Sequence, residues 1–107
     1  MQSAQSHSGV PIRLTTERWQ HIIRGHPEML DQNARILQTL SKPDKIQSGD
    51  SGELIALRRY EKTPVTTYKF LAVAYRETSL DDGFVITAYF ASRPSPRRAT
   101  LWIRPTS

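Results

Sequence analysis

The stretch "TYKFLAVAYRETSLDDGFVITAYFAS", residues 67–92, decides the fold. It holds two long runs rich in β-branched and aromatic residues, separated by the polar turn "SLDDG". Runs joined by so short a connection, with no helix between them, must pair antiparallel. The stretch therefore predicts a β-hairpin, and its first strand is expected to lie inside a sheet.

Further strands are predicted on both sides of this hairpin. The segments "KIQS" and "ELIALRRY" precede it with the turn "GDSG" between them, and "ATLWI" follows the basic, proline-broken segment "SRPSPRR". Because short Gly, Asp and Pro turns join most of these segments, they are expected to form an antiparallel meander of four to five strands.

Two helices are predicted before the strands. "RLTTERWQHIIRG" has a capping Thr15, an apolar stripe and a terminating Gly25, which together are typical of an amphipathic helix. Pro27 suits the first position of a second helix, which is expected to end at "SKPD". Its predicted apolar face carries Leu30, Ala34, Leu37 and Leu40. The predicted fold class is α+β, with two N-terminal helices packed on a four- to five-stranded antiparallel sheet.

The length of the chain, 107 residues, fits one domain with one core. We place this domain at residues 12–104, with a disordered polar tail over residues 1–11, which includes His7, and a short tail over residues 105–107. With 0 Cys, neither disulfides nor thiolate metal sites can hold the fold together. There is no apolar run of membrane-spanning length and no signal peptide, so we expect a cytoplasmic protein without a membrane partner.

The balance of charge favours a polyanionic partner. The formal net charge is +5 and the isoelectric point is near 10.0, and cationic side chains placed against phosphates release counterions on binding. Nucleic acid is the first candidate. The side chains expected to bind it are Arg58, Tyr60, Arg93, Arg97 and Arg98.

Alternation along the strands assigns side chains to the two faces of the sheet. In residues 83–93 it places Phe84, Ile86, Ala88 and Phe90 on one face, which is the expected core face. The other face then carries Thr87, Tyr89 and Arg93, which could line a cleft. In the strand before the hairpin, the same alternation places Arg58 and Arg59 on opposite faces of the sheet. In the first strand of the hairpin it places Lys69 in an otherwise apolar row, where a lysine side chain needs a polar or charged partner.

Two of the three histidines stand five residues apart in "WQHIIRGHPE". His21 points away from the apolar stripe of its helix, so it is either solvated or lines a groove. His26 falls at an N-cap position, where histidine is a weaker cap than Ser or Asp. Two imidazoles could serve as base and acid in one reaction, whereas two histidines without a clear third ligand make a poor zinc site, so no metal is expected.

The motifs "LTTERWQHIIRGHPEM", "LSKPDKIQSGD", "LRRY", "YKFLAVAY" and "DGFVITAYFASR" resemble a known superfamily. It comprises the small phage- and mobile-element-associated nuclease-like proteins of the barnase, EndoU, colicin and RelE (BECR) fold. The resemblance spans about Leu14 to Trp102. It implies helices followed by an antiparallel sheet and RNA cleavage without a metal or other cofactor, in which the ribose 2'-OH attacks the adjacent phosphate and leaves a 2',3'-cyclic phosphate.

The resemblance also implies roles for individual residues. His21 and His26 would supply base and acid, Arg59 or Lys69 would stabilise the phosphorane, and Thr87 with Tyr89 would hold the phosphate or nucleotide. A toxin or effector of this kind would have RNA as its substrate and a cognate antitoxin or immunity protein as its partner.

Two other functions fit the same residues. A non-catalytic nucleic-acid-binding module would use the arginines and Lys69 as a phosphate footprint, and its binding would survive loss of both histidines. A protein-interaction subunit would use "RPSPRR" as a docking segment, although a solvated loop is the more common structure for such a segment.

Overall fold

The computed structural model describes residues 1–106, apart from the side chain of Tyr68, and it confirms the α+β class. The helices are α1 (Thr16–Gly25), a single 3₁₀ turn (Pro27–Met29) and α2 (Asn33–Ser41). The strands are β1 (Gln2–Gln5), β2 (Pro11–Leu14), β3 (Lys45–Ser48), β4 (Leu54–Lys62), β5 (Thr67–Glu77), β6 (Gly83–Ala91) and β7 (Thr100–Ile103).

The strands of residues 1–106 form one seven-stranded sheet in the order β1-β2-β6-β5-β4-β3-β7. All five strands predicted from the sequence are present, and the β5–β6 hairpin lies at the centre with Ala72 opposite Tyr89. The prediction of four to five antiparallel strands is nevertheless wrong. Two further strands come from the N-terminal segment, and β2 pairs with β6 in parallel, which makes the sheet mixed.

The N-terminal segment belongs to the fold, so the prediction of a disordered tail over residues 1–11 is wrong. β1 and β2 form a hairpin, and Val10, Ile12 and Leu14 alternate into the core, where they are 4%, 0% and 2% exposed. The buried hydroxyl of Ser6 donates a hydrogen bond to Glu77. In the second predicted tail, residues 105 and 106 form no helix or strand, and residue 107 lies outside the described part of the chain.

The first helix agrees with its prediction, and the second begins later than expected. Thr15 caps α1, because its Oγ1 accepts a hydrogen bond from the backbone N–H of Arg18 at 3.1 Å. Pro27 opens the 3₁₀ turn, and the chain then leaves the helical path at Asp31, whose φ is 65°. Of the predicted apolar row, Leu40 is buried and Leu37 packs partly buried against the core, whereas Leu30 and Ala34 are exposed. Ile36 and Thr39 of α2 are also buried.

The two faces of the sheet carry separate apolar clusters. The larger cluster packs under the helices and contains Leu71, Val73 and Tyr75 from β5. The smaller cluster lies on the opposite face, which we call the open face; its buried members are Ile55, Leu57, Ala72 and Ala74.

The predicted core row of β6 is wrong in its first half. Thr87 pairs with Ala74 and Val85 pairs with Tyr75, so the register shifts by one residue at Ile86. A bulge of this kind reverses the alternation of the residues that precede it. Val85 therefore joins Ala88 and Phe90 under the helices, and Ile86 packs against the open-face cluster with Tyr89.

Two tyrosines of the helix-side core should respond in opposite directions when their hydroxyls are removed. Tyr75 is 0% exposed, and its buried hydroxyl bonds to no described residue. The Tyr60 hydroxyl donates to Gln38 Oε1 at 2.8 Å, and the Arg35 carbonyl, 3.3 Å away, is a second possible acceptor. We expect Tyr75→Phe to raise the free energy of unfolding by about 1 kcal/mol and Tyr60→Phe to lower it by about 1 kcal/mol in urea titrations at neutral pH. If both substitutions changed the free energy of unfolding in the same direction, these assignments of hydrogen-bond partners would be contradicted.

Stability should also fall in alkali because of Tyr75. Burial raises the pKa of Tyr75, and the nearby Glu77 charge raises it further, so the phenol stays protonated in the folded chain at a pH where the unfolded chain loses the proton. The stabilisation is complete below the ordinary tyrosine pKa of about 10, and it is lost progressively as the pH rises above that value. Unfolding measured between pH 8 and 11 should show a smaller loss for Tyr75→Phe than for the wild type.

Candidate nucleic-acid interface

A crossover segment, residues 92–99, lies against the open face of the sheet. It connects β6 to β7, and β7 lies at the far edge beyond β5, β4 and β3. The carbonyl of Ser95 accepts a hydrogen bond at 2.9 Å from Nε2 of Gln47, a β3 residue whose partner Ile55 belongs to the open-face cluster. The basic "RPSPRR" stretch is thus held on the sheet by this bond.

A cavity of about 210 Å³ lies between the crossover segment and the sheet. We call it the groove. Apolar side chains of β4 and β5 line it together with polar and cationic ones from β3, β6 and the crossover segment. The lining residues are Gln47, Ile55, Leu57, Ala72, Tyr89, Ala91, Arg93, Ser95 and Arg98. An apolar surface beside arginines suits a ligand that has both a flat ring and a negative charge.

Tyr89 lines the groove and also contacts the ring of His26. The ring centroids of these two residues are 5.9 Å apart, with an angle of 33° between the ring planes. The contact arises because α1 and the 3₁₀ turn both pack against β6, and because β2 covers only the first two residues of that strand. The structure therefore brings together two of the residues that the sequence predicted as catalytic.

The backbone and a neighbouring carboxylate fix the position of His26. Its N–H donates to the Ile22 carbonyl at 2.7 Å, and its own carbonyl accepts from the N–H of Met29 at 2.9 Å. His26 occupies the predicted N-cap position, at the start of the 3₁₀ turn, but its side chain makes no capping hydrogen bond. Nδ1 lies 3.4 Å from Oε1 of Glu28. This distance allows an ion pair between the carboxylate and a protonated imidazole.

His21 is placed elsewhere. It is exposed on α1 and lines a separate cavity of about 290 Å³ together with Thr15, Glu17, Arg18 and Arg24. That cavity shares no lining residue with the groove. Two residues five positions apart lie on different sides of a helix, and the helix ends between them at Gly25. His21 therefore lines a different cavity from the one lined by Tyr89, the ring neighbour of His26.

The two cations predicted to stabilise a phosphorane also lie outside the groove. Lys69 points to the helix side of β5, as its alternation predicts, and its Nζ donates to Ser92 Oγ at 2.8 Å. Arg59 follows the open-face parity, but it lines a different cavity of about 350 Å³. That cavity is also lined by Asp44, Arg58, Glu61 and Arg104. Thr87 lies on the open face opposite Ala74, outside the groove lining.

The predicted nucleic-acid-binding residues divide into two groups. Arg93 and Arg98 line the groove, and Arg97 is exposed in the crossover segment between them. Arg98 forms an ion pair with Asp50 at 3.1 Å. Arg58 and Tyr60 lie on the helix side instead, where the Arg58 guanidinium is 5.8 Å from the Tyr60 ring centroid and donates to the Lys42 carbonyl at 2.7 Å.

Sequence reasoning missed Glu28 and Gln47 as members of this site. Glu28 was available as the third residue of "HPE", since a carboxylate two positions after a histidine can reach its ring across a turn. Gln47 had no local signal, because its importance depends on pairing between strands and on the path of residues 92–99.

Comparison with known proteins adds no relative: the chain matches no protein-family model, no curated protein and no solved structure. Within residues 1–106, no group of three or more His, Asp or Glu side chains is placed to hold a metal ion. None of the described helices has the length and apolar character needed to cross a bilayer.

Proposed function

We propose that this chain is a metal-independent endoribonuclease that binds RNA in the groove and cleaves it beside His26. The contact between His26 and Tyr89 carries the proposal, because Tyr89 also lines a cavity that has an apolar floor and arginines. The resemblance of its motifs to the BECR nucleases gives the reaction. The net charge of +5 supports a polyanionic substrate.

The reaction needs two proton transfers and a source of positive charge. A base removes the proton from the ribose 2'-OH, the oxygen attacks the adjacent phosphorus, and an acid protonates the departing 5' oxygen. The products are a 2',3'-cyclic phosphate and a free 5'-OH. His26 is the proton donor or acceptor in this proposal, and Glu28, 3.4 Å from it, is the second titratable group within reach.

The arginines of the groove provide the positive charge in this proposal. Arg93 lines the groove and forms no ion pair with any residue in the described range 1–106, so its guanidinium is available to a phosphate. Guanidinium groups bind two phosphate oxygens at once and can stabilise the charge that develops on a phosphorane. Arg93 and Arg98 therefore take the role that the sequence assigned to Arg59 or Lys69.

The direct test is end-group analysis of RNA cleaved by the wild-type chain in excess EDTA. We expect fragments with 2',3'-cyclic phosphate and 5'-OH ends, formed at the same rate with and without added Mg²⁺. Fragments with 5'-phosphate ends, or cleavage abolished by EDTA, would reject the proposed chemistry.

A second candidate is a non-catalytic RNA-binding module on the same surface. One observation favours it: the second predicted histidine, His21, lines a different cavity and is absent from the lining of the groove. Such a module would bind RNA in the groove with the salt dependence of an electrostatic complex, and it would leave the RNA intact.

A further inference from the structure

Gln47 has a buried side-chain amide of which only the nitrogen has a hydrogen-bond partner in the part of the chain that the structure describes. It is 3% exposed, and its Nε2 donates to the Ser95 carbonyl at 2.9 Å. Its Oε1 accepts no hydrogen bond from any residue within the described range 1–106. This oxygen is not among the fully buried unpartnered atoms of the described residues, so it is open to the groove. An acceptor at the wall of a cavity suits a ligand that can donate.

The surfaces around this oxygen suit a flat aromatic ring. The floor consists of aliphatic side chains, including Ile55 and Leu57, and the Tyr89 ring forms part of the wall. Ala72 and Ala91 lie opposite Tyr89 and Phe70 in the strand pairing, and their small side chains leave the space that larger residues would fill. Bases stack on aromatic and apolar surfaces of this kind.

We propose that the groove is a nucleobase-recognition pocket, in which Gln47 Oε1 accepts a hydrogen bond from the edge of the base. A base held there places its ribose and phosphate next to Tyr89 and Arg93, and through Tyr89 next to His26. The inference rests on the proposed function only in taking RNA as the source of the base. It makes cleavage base-selective, because an acceptor at a fixed position favours the base whose donor, an amino group or a ring N–H, reaches that position.

The four nucleoside 3'-monophosphates test the pocket without requiring cleavage. In titrations followed by NMR or calorimetry, we expect unequal binding of the four nucleotides, with the strongest and weakest about tenfold apart, which corresponds to about 1.4 kcal/mol. Gln47→Met keeps the length of the side chain and removes the acceptor, so the difference between nucleotides should disappear.

A second variant keeps the test valid if Gln47→Met disturbs the crossover segment. Ala91→Leu fills the groove, and we expect it to weaken all four nucleotides by about tenfold or more. Ala34→Leu makes the same change at an exposed position of α2 and should leave binding unaltered.

The possible outcomes distinguish the nucleobase pocket from the proposed nuclease activity, because each can fail without the other. Equal binding of all four nucleotides, no binding, or binding unaffected by Ala91→Leu would overturn the pocket. Selective nucleotide binding by a chain that cleaves no RNA would retain the pocket and reject the nuclease. RNA cleavage with no preference at the scissile base, unchanged in Gln47→Met, would retain the nuclease and reject the pocket.

Discussion

His26→Ala should lower the rate of RNA cleavage in EDTA by about 10²- to 10⁴-fold, the range that positioned acid–base groups contribute. The expectation follows from the position of this ring beside Tyr89 and within 3.4 Å of Glu28 Oε1. RNA binding should change little, because the arginines of the groove supply the contacts to phosphate. The measurement is single-turnover cleavage of a labelled oligonucleotide, with binding determined on the same substrate.

His21→Ala is the matched control for this experiment. It removes the same side chain from the same region of sequence, but from a cavity that shares no lining residue with the groove. We expect its cleavage rate to stay within about threefold of the wild type, since it loses neither a proton-transferring group nor a phosphate contact in the groove. Equal losses in the two variants would contradict the assignment of proton transfer to His26 and not to His21.

A pH profile distinguishes chemistry from a merely structural role of His26. A residue that transfers a proton in the slow step makes the rate depend on pH through its own protonation state. The pH dependence of cleavage should therefore differ in shape between the wild type and His26→Ala. If His26 only supported Tyr89, the variant would be slower with an unchanged profile.

The central hairpin was predictable because its signals are local. β5 and β6 have apolar residues at strand spacing, and the turn between them has Asp81, Asp82 and Gly83, whose chemistry favours reversal. The Thr15 cap and the end of α1 at Gly25 were readable for the same reason. These features depend on residues close together in sequence.

The N-terminal hairpin has a strand-like pattern in its second strand, but the polar residues before that strand are typical of a disordered tail. Val10, Ile12 and Leu14 alternate with Pro11 and Arg13, which is the period of a strand, but the preceding residues are polar and suggest a tail. The parallel pairing of Ile12 with Gly83 spans most of the chain, and no local pattern specifies it. The bulge at Ile86 was equally hidden, because one inserted residue leaves the composition of a strand unchanged.

Several residues of the candidate site were predicted from the sequence, but the way in which the fold brings them together was not. His26, Tyr89, Arg93 and Arg98 were all named from the sequence, and the structure brings them to one region. What joins them is the path of residues 92–99 across the sheet. A segment of Pro, Ser and Arg reads as a solvated loop, and only its contact with Gln47 shows that it lies on the open face.

Ile12→Ala should lower the free energy of unfolding by about 2–5 kcal/mol, the range for truncating a fully buried large aliphatic side chain. Ile12 is 0% exposed and pairs with Gly83 at the junction of β2 and β6. A Cβ on Gly83 would approach Ile12 Cδ1 to 2.5 Å, so the isoleucine fills the space that the glycine leaves. Urea unfolding at neutral pH measures the loss.

Leu80→Ala is the control for this substitution. Leu80 is 87% exposed in the β5–β6 turn, so its truncation creates no cavity and should change stability by less than about 0.5 kcal/mol. If the N-terminal segment were instead a detached tail, Ile12→Ala would be as neutral as Leu80→Ala. A loss of several kcal/mol at Ile12 alone requires that β2 closes the helix-side core, since a side chain contributes this much only when the atoms around it cannot collapse into the space that it vacates.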